Sequence, residues 1–338
     1  MANLNNYYNL PPILRDYLIN LQTVQGKSPR TVHEYYLDLR NFFRFIFQYK
    51  NLCPSNQKFN TISLDLLNLE LIREITLNDV YAYLNFLAQE RPVQPNSSHS
   101  AVGLSAKSRA RKVSALRTYF KYLTDKVHLL DVNPIAQLDL PKYKKDAVPK
   151  YLSVDSAEDL LEHVDGTFKE RDYCILVFFL NCGLRVSELT GLNLDDIRDN
   201  YIRVLGKGNK ERILYLNESC MDALNAYLPK RLTPCAADAK ALFVSRNSRR
   251  INVQTVKWLV KKHLKAAGLS DKGYSAHKLR HTAATLMYQN GVDIRTLQEV
   301  LGHDNVNTTM IYTHTADENL KKALSQNPLA NLKRKSEE

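Results

Sequence analysis

The stretch Leu140-Pro141-Lys142-Tyr143-Lys144-Lys145-Asp146-Ala147-Val148-Pro149 constrains the chain more than any other segment. Two prolines bracket a charged run with no apolar period, as expected of an exposed linker. The residues on either side must then find separate cores. A chain of 338 residues, 44% of them hydrophobic, has enough apolar surface for one or two. The expected organisation is residues 1–140, a linker at 141–150, and residues 151–338. No internal repeat or low-complexity tract interrupts it.

The first part reads as helices. Ser28-Pro29 supplies an N-cap and a first-turn proline. Val32, Tyr35, Tyr36, Leu39, Phe42, Phe43 and Ile46 then recur at helical spacing and predict one buried face. A second helix is predicted from about Ser105 to Thr124, with Val113, Leu116, Phe120 and Leu123 inward. At about 100° per residue, Lys107, Arg111, Ser114, Thr118 and, at the margin, Lys121 fall on the opposite side. Cations and hydroxyls together suit phosphate and base-edge contacts. A solvated surface would look the same, but no acidic residue occurs from Ser105 through Leu123, which favours DNA. Residues 51–74 and 91–104, with Pro54, Pro92, Pro95 and a Ser/Asn cluster, read as loops or irregular insertions.

Beyond the linker, helical patterns continue around one β segment. Tyr201 to Leu205 and Arg212 to Leu216 flank Gly206-Lys207-Gly208-Asn209-Lys210, which predicts a hairpin. Asp199-Asn200 would turn into it from a short strand near Leu194 to Arg198. The fold class expected is mostly α with a small antiparallel β-sheet in the second domain, an α+β arrangement.

Charge narrows the class of partner. The chain carries 47 Lys and Arg against 35 Asp and Glu, a formal net charge of +12. Through Lys150 the balance is 20 against 12, so the first part is the more basic for its size. Such an excess points to nucleic acid or an anionic surface. No apolar run reaches the ~18 residues that spanning a bilayer needs. Met1 to Leu10 is polar and lacks a secretory pattern. A cytoplasmic protein without a membrane partner is expected. Cys53, Cys174, Cys182, Cys220 and Cys235 show no CxxC pairing, and their irregular spacing suggests small core residues rather than a zinc site or disulfide framework.

Four segments carry polar residues that structure alone does not require. In Gly183-Leu184-Arg185-Val186-Ser187-Glu188, an apolar helix reaches a glycine and an arginine follows at once. Arg185 is placed to grip a phosphate with its planar fork, or else pairs with Glu188. Lys207 sits in a glycine-flanked turn and could approach a ligand closely or simply be solvated. In His277-Lys278-Leu279-Arg280-His281, His277 and Arg280 share a helix face. The zinc-protease motif would need Glu where Lys278 stands, so an anionic substrate fits better than a metal. His303 follows Leu301-Gly302, and Tyr312 comes nine residues later in Ile311-Tyr312-Thr313-His314. His303 could equally open a helix, and one tyrosine among 19 says little alone.

Together these motifs resemble the tyrosine recombinases of the λ-integrase superfamily, and most closely the Xer type. Arg185 in GLRVSEL, Lys207 in GKGNKER, His277 and Arg280 in HKLRH, His303 in LGH and Tyr312 in IYTH stand in that family's order and at its separations. The similarity runs from about Ser28 to Asn327. It implies that Tyr312 is a nucleophile forming a 3′-phosphotyrosyl bond and that Arg185, Arg280 and His303 hold the scissile phosphate. It implies further that Lys207 protonates the leaving 5′-oxygen and that His277 accepts the phenol proton. No cofactor, metal or external energy source is needed, because the phosphotyrosine conserves the phosphodiester energy. The resemblance also implies a two-domain C-shaped clamp on a double-stranded DNA recombination site. Assembly would be as a homotetramer, or as a heterotetramer with a related recombinase, on two sites. A tail after Tyr312 (Leu320, Ala323, Leu324, Leu329, Leu332) would dock into a neighbouring subunit, and a septal DNA translocase could act as activator. Two departures stand out: extra length around residues 51–74, and Leu286 where many relatives are polar.

The biological task expected is Xer-like resolution of chromosome or plasmid multimers. An integrase or excisionase of a mobile element uses the same chemistry, but often with a further DNA-binding domain for which little room is seen before Ser28. A non-catalytic sequence-specific DNA-binding protein would retain the clamp, and a type IB topoisomerase would share the chemistry.

Overall fold

In the computed structural model the described residues are Tyr7 and residues 9–91, 102–141, 150–206 and 210–302. The chain divides into two compact units, Met1–Lys145 and Asp146–Glu338. Both are built mainly of helices, and the second adds a three-stranded antiparallel sheet.

In the first unit the helices are α1 (Pro12–Thr23), α2 (Pro29–Tyr49), α3 (Leu69–Arg73), α4 (Leu77–Gln89) and α5 (Ala106–Asp125). Helix α2 starts where the sequence places its cap. Ser28 Oγ accepts the Thr31 N–H at 3.2 Å, and Pro29 takes a position where a missing N–H is no loss. Val32, Leu39, Phe42, Phe43 and Ile46 are fully buried, and Tyr35 and Tyr36 flank them half-buried. Phe45 and Phe47 are buried too, so α2 packs over a wider arc than its periodic face predicts. Phe42 meets Tyr83 of α4 and Phe120 of α5 edge to face, at centroid distances of 5.2 and 6.5 Å.

Helix α5 begins at the Ser105 cap and turns Val113, Leu116, Phe120 and Leu123 inward, as its period requires. Residues 51–74 depart from the loop expected there. Phe59–Thr61 forms a 3₁₀ turn, α3 follows, and Ile62, Leu64, Leu67, Leu71 and Ile72 join the core. Leu64, Leu67, Leu71 and Ile72 stand at helical spacing, but Leu66 and Leu69 interleave at a spacing of two, so periodicity does not single out one buried face. Arg44 Nε of α2 fixes the segment by donating to the Ile62 carbonyl at 2.8 Å.

The second unit contains α6 (Val154–Glu162), α7 (Lys169–Cys182), α8 (Val186–Gly191), β1 (Ile197–Arg198), β2 (Tyr201–Leu205), β3 (Glu211–Tyr215), α9 (Glu218–Tyr227), α10 (Val253–Ala266), α11 (Ala276–Gln289) and α12 (Ile294–Leu301). Helix α7 is the central one. Cys174 through Phe179 are buried on every face, because α9 and α11 cover opposite flanks. The predicted hairpin is present, with Tyr201 opposite Tyr215 and Leu205 opposite Glu211. Gly206 N–H closes it on the Lys210 carbonyl at 2.7 Å. The short preceding strand is only Ile197–Arg198, since Leu194–Asp196 forms a 3₁₀ turn instead. Cys174, Cys182 and Cys220 are buried thiols, whereas Cys53 and Cys235 are half-exposed. Among the described residues no helix is long and apolar enough to cross a membrane.

Candidate active site

Two helix ends meet in the second unit, and both stop on a glycine. Helix α7 ends at Gly183 (φ +58°) and α12 at Gly302 (φ +61°), each in the left-handed region that side chains disfavour. Space forbids a side chain at either point as well. A Cβ on Gly183 would lie 2.9 Å from Leu301 Cδ2, and one on Gly302 would lie 2.8 Å from Arg212 Nη1. The glycines therefore let the two chain reversals close on each other, and arginines fill the junction.

Arg185 is the N-cap residue of α8, one turn before Glu188. Its backbone N–H donates to Glu188 Oε2 at 2.8 Å, and its Nη1 to Oε1 at 2.6 Å. Its Nη2 donates to the Gly302 carbonyl at 2.9 Å. Arg280 comes from the first turns of α11 and is 2% exposed. Its Nη1 donates to the Gly183 carbonyl at 2.7 Å and its Nη2 to the Leu301 carbonyl at 2.6 Å. The same Nη1 lies 3.6 Å from Glu188 Oε2. Arg185 and Arg280 are thus brought together, tied to the same helix end and the same carboxylate.

Arg212 of β3 completes the cluster, and the sequence reading missed it. Its Nη1 and Nη2 donate to Glu188 Oε1 and Oε2 at 3.1 and 2.9 Å, and its Nε to the Val300 carbonyl at 2.9 Å. Three guanidiniums share one carboxylate, and each also grips a carbonyl at the end of α12, where the helix dipole is negative. Burial alone would raise the Glu188 carboxyl. Hydrogen bonds and charge from Arg212, then hydrogen bonds from the Arg185 backbone and side chain, outweigh it and hold the pKa at about 2. The cluster keeps a positive excess, and Arg185 is its accessible member: its side chain is 35% exposed, against 3% for Arg280 and 13% for Arg212. Five N–H groups belong to each guanidinium, so Arg185 has donors to offer an incoming oxyanion.

His277 lies in the first turn of α11, one turn before Arg280. Its Nε2 is 3.1 Å from His281 Nε2, with the rings edge to face at 4.4 Å. One ring must donate and the other accept across that contact. Loss of hydration, then the charges of Arg280, Lys278 and Arg185, lower the His277 pKa below its ordinary value. The ring is therefore neutral at pH 7 and able to take up a proton. Lys207, His303 and Tyr312 lie outside the described residues, although Gly206 and Gly302 immediately precede the first two.

In the first unit, Lys107, Arg111, Ser114 and Lys121 are exposed along α5 and Thr118 is half-exposed beside them. Their side chains are already engaged in part. Arg111 pairs through both terminal nitrogens with the buried Asp38 of α2, its Nη2 at 2.8 Å. Ser114 and Thr118 hydroxyls donate to the carbonyls of Ala110 and Ser114, one turn back, at 3.0 and 2.8 Å. Lys112, which the apolar period does not place inside, is buried because its Nζ reaches Asp38 at 2.7 Å.

Comparison with known proteins gives this arrangement its class. The model of the phage integrase family matches residues 150–319. A tyrosine recombinase XerC of Caldanaerobacter subterraneus subsp. tengcongensis is 48% identical, over 95% of this chain and 88% of its own. A tyrosine recombinase XerD of Proteus mirabilis is 34% identical, over 94% and 93%. The fold is shared with the XerH recombinase bound to a palindromic difH substrate (TM-score 0.64, 20% identity, 93% of this chain and 83% of that one). It is shared also with a λ integrase tetramer bound to a Holliday junction (TM-score 0.62, 18%, 88% and 76%). The chain belongs to the phage integrase family. Within it, the chain is an Xer-type tyrosine recombinase, a site-specific DNA recombinase.

Proposed function

We propose that this recombinase resolves chromosome or plasmid multimers, cutting and rejoining DNA through Tyr312. The carrying observation is the junction of Arg185, Arg280 and Arg212 on Glu188, a rigid site with a positive excess and one accessible fork. The Tyr312 oxygen attacks the scissile phosphorus while the bond to the 5′-oxygen breaks, leaving a 3′-phosphotyrosine. His277 accepts the phenol proton, which a group of pKa about 10 does not release unaided. Lys207 donates a proton to the departing 5′-oxygen. Arg185, Arg280 and His303 neutralise the non-bridging oxygens as charge grows on them. Attack by a 5′-hydroxyl on the phosphotyrosine reverses the sequence and joins a strand without a cofactor or outside energy.

In this reading residues 1–140 bind the core DNA site, 141–150 connect, and 151–338 carry catalysis and the docking tail. Lys107, Arg111, Ser114, Thr118 and Lys121 face the duplex. The active unit is a tetramer on two sites, alone or with a related recombinase, acting in the cytoplasm and open to activation by a septal DNA translocase.

A nicked suicide substrate carrying the site tests the chemistry. Wild type should form a covalent adduct and Tyr312→Phe none; an equal adduct from the variant rejects the nucleophile. Sequencing the DNA trapped by Tyr312 tests the task. Sites near the replication terminus or on plasmids support it, and the ends of a mobile element reject it.

A further inference from the structure

Arg40, Arg44 and Arg91 form a second cluster of guanidiniums, in the first unit, that the reaction above does not use. Arg40 and Arg44 are one turn apart on α2 and share a face. Arg91 follows the end of α4. Two of the three converge on the segment of residues 59–62. Arg44 Nε donates to the Ile62 carbonyl at 2.8 Å, and Arg91 stacks on the Phe59 ring at 4.8 Å from its centroid. Arg40 stacks on Tyr36 at 5.3 Å, and its Nε is buried with no hydrogen-bond partner.

All three arginines are half-buried, and among the described residues no carboxylate pairs with any of them. Loss of hydration, then the charge of Arg40, lowers the pKa of both Arg44 and Arg91. Like charges gathered partly out of water, with an unmet donor among them, favour binding an anion. The planar forks suit a phosphate.

We propose that Arg40, Arg44 and Arg91 hold a backbone phosphate of duplex DNA. The proposal rests on the reading of DNA as substrate and names a contact set beyond α5. It also gives the extra length around residues 51–74 a role, since Phe59 and Ile62 orient two of the arginines. A contact to the sugar-phosphate chain adds affinity without reading sequence.

The test is fluorescence anisotropy of the full-length protein on a labelled duplex of mixed sequence, across a salt titration. Triple replacement by Gln at 40, 44 and 91 should weaken binding about tenfold and flatten the slope of log K against log salt by about 1. Triple replacement by Lys should keep most of the slope. Arg40→Gln alone, whose Nε makes no hydrogen bond within the protein, should flatten it in part and serves if the triple variant misfolds. A folded Gln variant with the wild-type slope overturns the phosphate site while leaving the DNA reading intact. A wild-type protein that does not bind the duplex overturns that reading instead.

Discussion

Buried Asp38 in the first unit and buried Glu188 in the second each gather more than one lysine or arginine, and the two are used differently. Asp38 holds Arg111 and Lys112, neighbours on a single helix, and so clamps α5 to α2. Glu188 holds Arg185, Arg212 and Arg280, which arrive from α8, β3 and α11, and each continues to a main-chain carbonyl. A carboxylate with two partners from one helix fixes a packing angle. One with three partners from three elements fixes the relative positions of segments far apart in sequence, as a phosphate-gripping site requires.

The largest test of that contrast is to neutralise each carboxylate. Glu188→Gln should lower unfolding free energy by about 5 kcal/mol, because three guanidiniums lose their counter-charge in a buried place. Asp38→Asn should lower it by about 3 kcal/mol, since the Arg111 side chain is 52% exposed and can turn to water. Adding Lys112→Met to the latter should recover most of the loss. Urea melts of the variants measure all three, and equal losses at the two sites would erase the distinction.

Acid unfolding probes Glu188 without mutation. A carboxyl whose pKa falls on folding adds stability above its unfolded pKa, and that stability drains away as pH drops through the folded value. For Glu188 the window runs from 4.5 down to about 2 and involves about 3 kcal/mol. Stability followed over this range should decline steeply in the wild type and far less in Glu188→Gln. Gly302→Ala is expected to be milder, at about 1–2 kcal/mol for the left-handed backbone, yet to slow cleavage disproportionately by displacing Arg212. An Ala variant with wild-type cleavage would show that the junction tolerates movement. The smallest effect should come from α5. Lys107→Gln with Arg111→Gln should flatten the salt slope of DNA binding by about 1 for each phosphate left without its cation, and an unchanged slope would mark the face as merely solvated.

What the sequence revealed follows from what periodicity can carry. The α2 and α5 cores, the Ser28 cap and the hairpin are local, and each is legible within a short window. Arg185 and Arg280 stood out as polar residues beside apolar helices, and the structure seats them together. Arg212 was missed although a signal existed. In β3 it alternates onto the inward side with Leu214, while Ile213 and Tyr215, at 56% and 76% exposed, face out. A charge at an inward strand position calls for a buried counter-charge, and Glu188 is that partner. Asp38 and Lys112 were hidden because each looks like a surface charge until the other is known to face it. The buried residues between 51 and 74 are obscured because Leu66, 53% exposed, and Leu69 interleave with them and blur the period.

The acceptors at the end of α12 are peptide oxygens of Val300, Leu301 and Gly302, which side-chain replacement leaves in place. Point substitutions along α12 therefore leave the arginine anchors intact, yet all three depend on one helical turn staying wound. Fraying of that turn removes one anchor from Arg185, Arg212 and Arg280 at once, leaving them to Glu188 and the Gly183 carbonyl, so the alignment of the whole junction is coupled to the local folding equilibrium of a few residues. Amide hydrogen exchange at Gly302, whose N–H donates to the Glu299 carbonyl at 3.1 Å, reads that equilibrium directly.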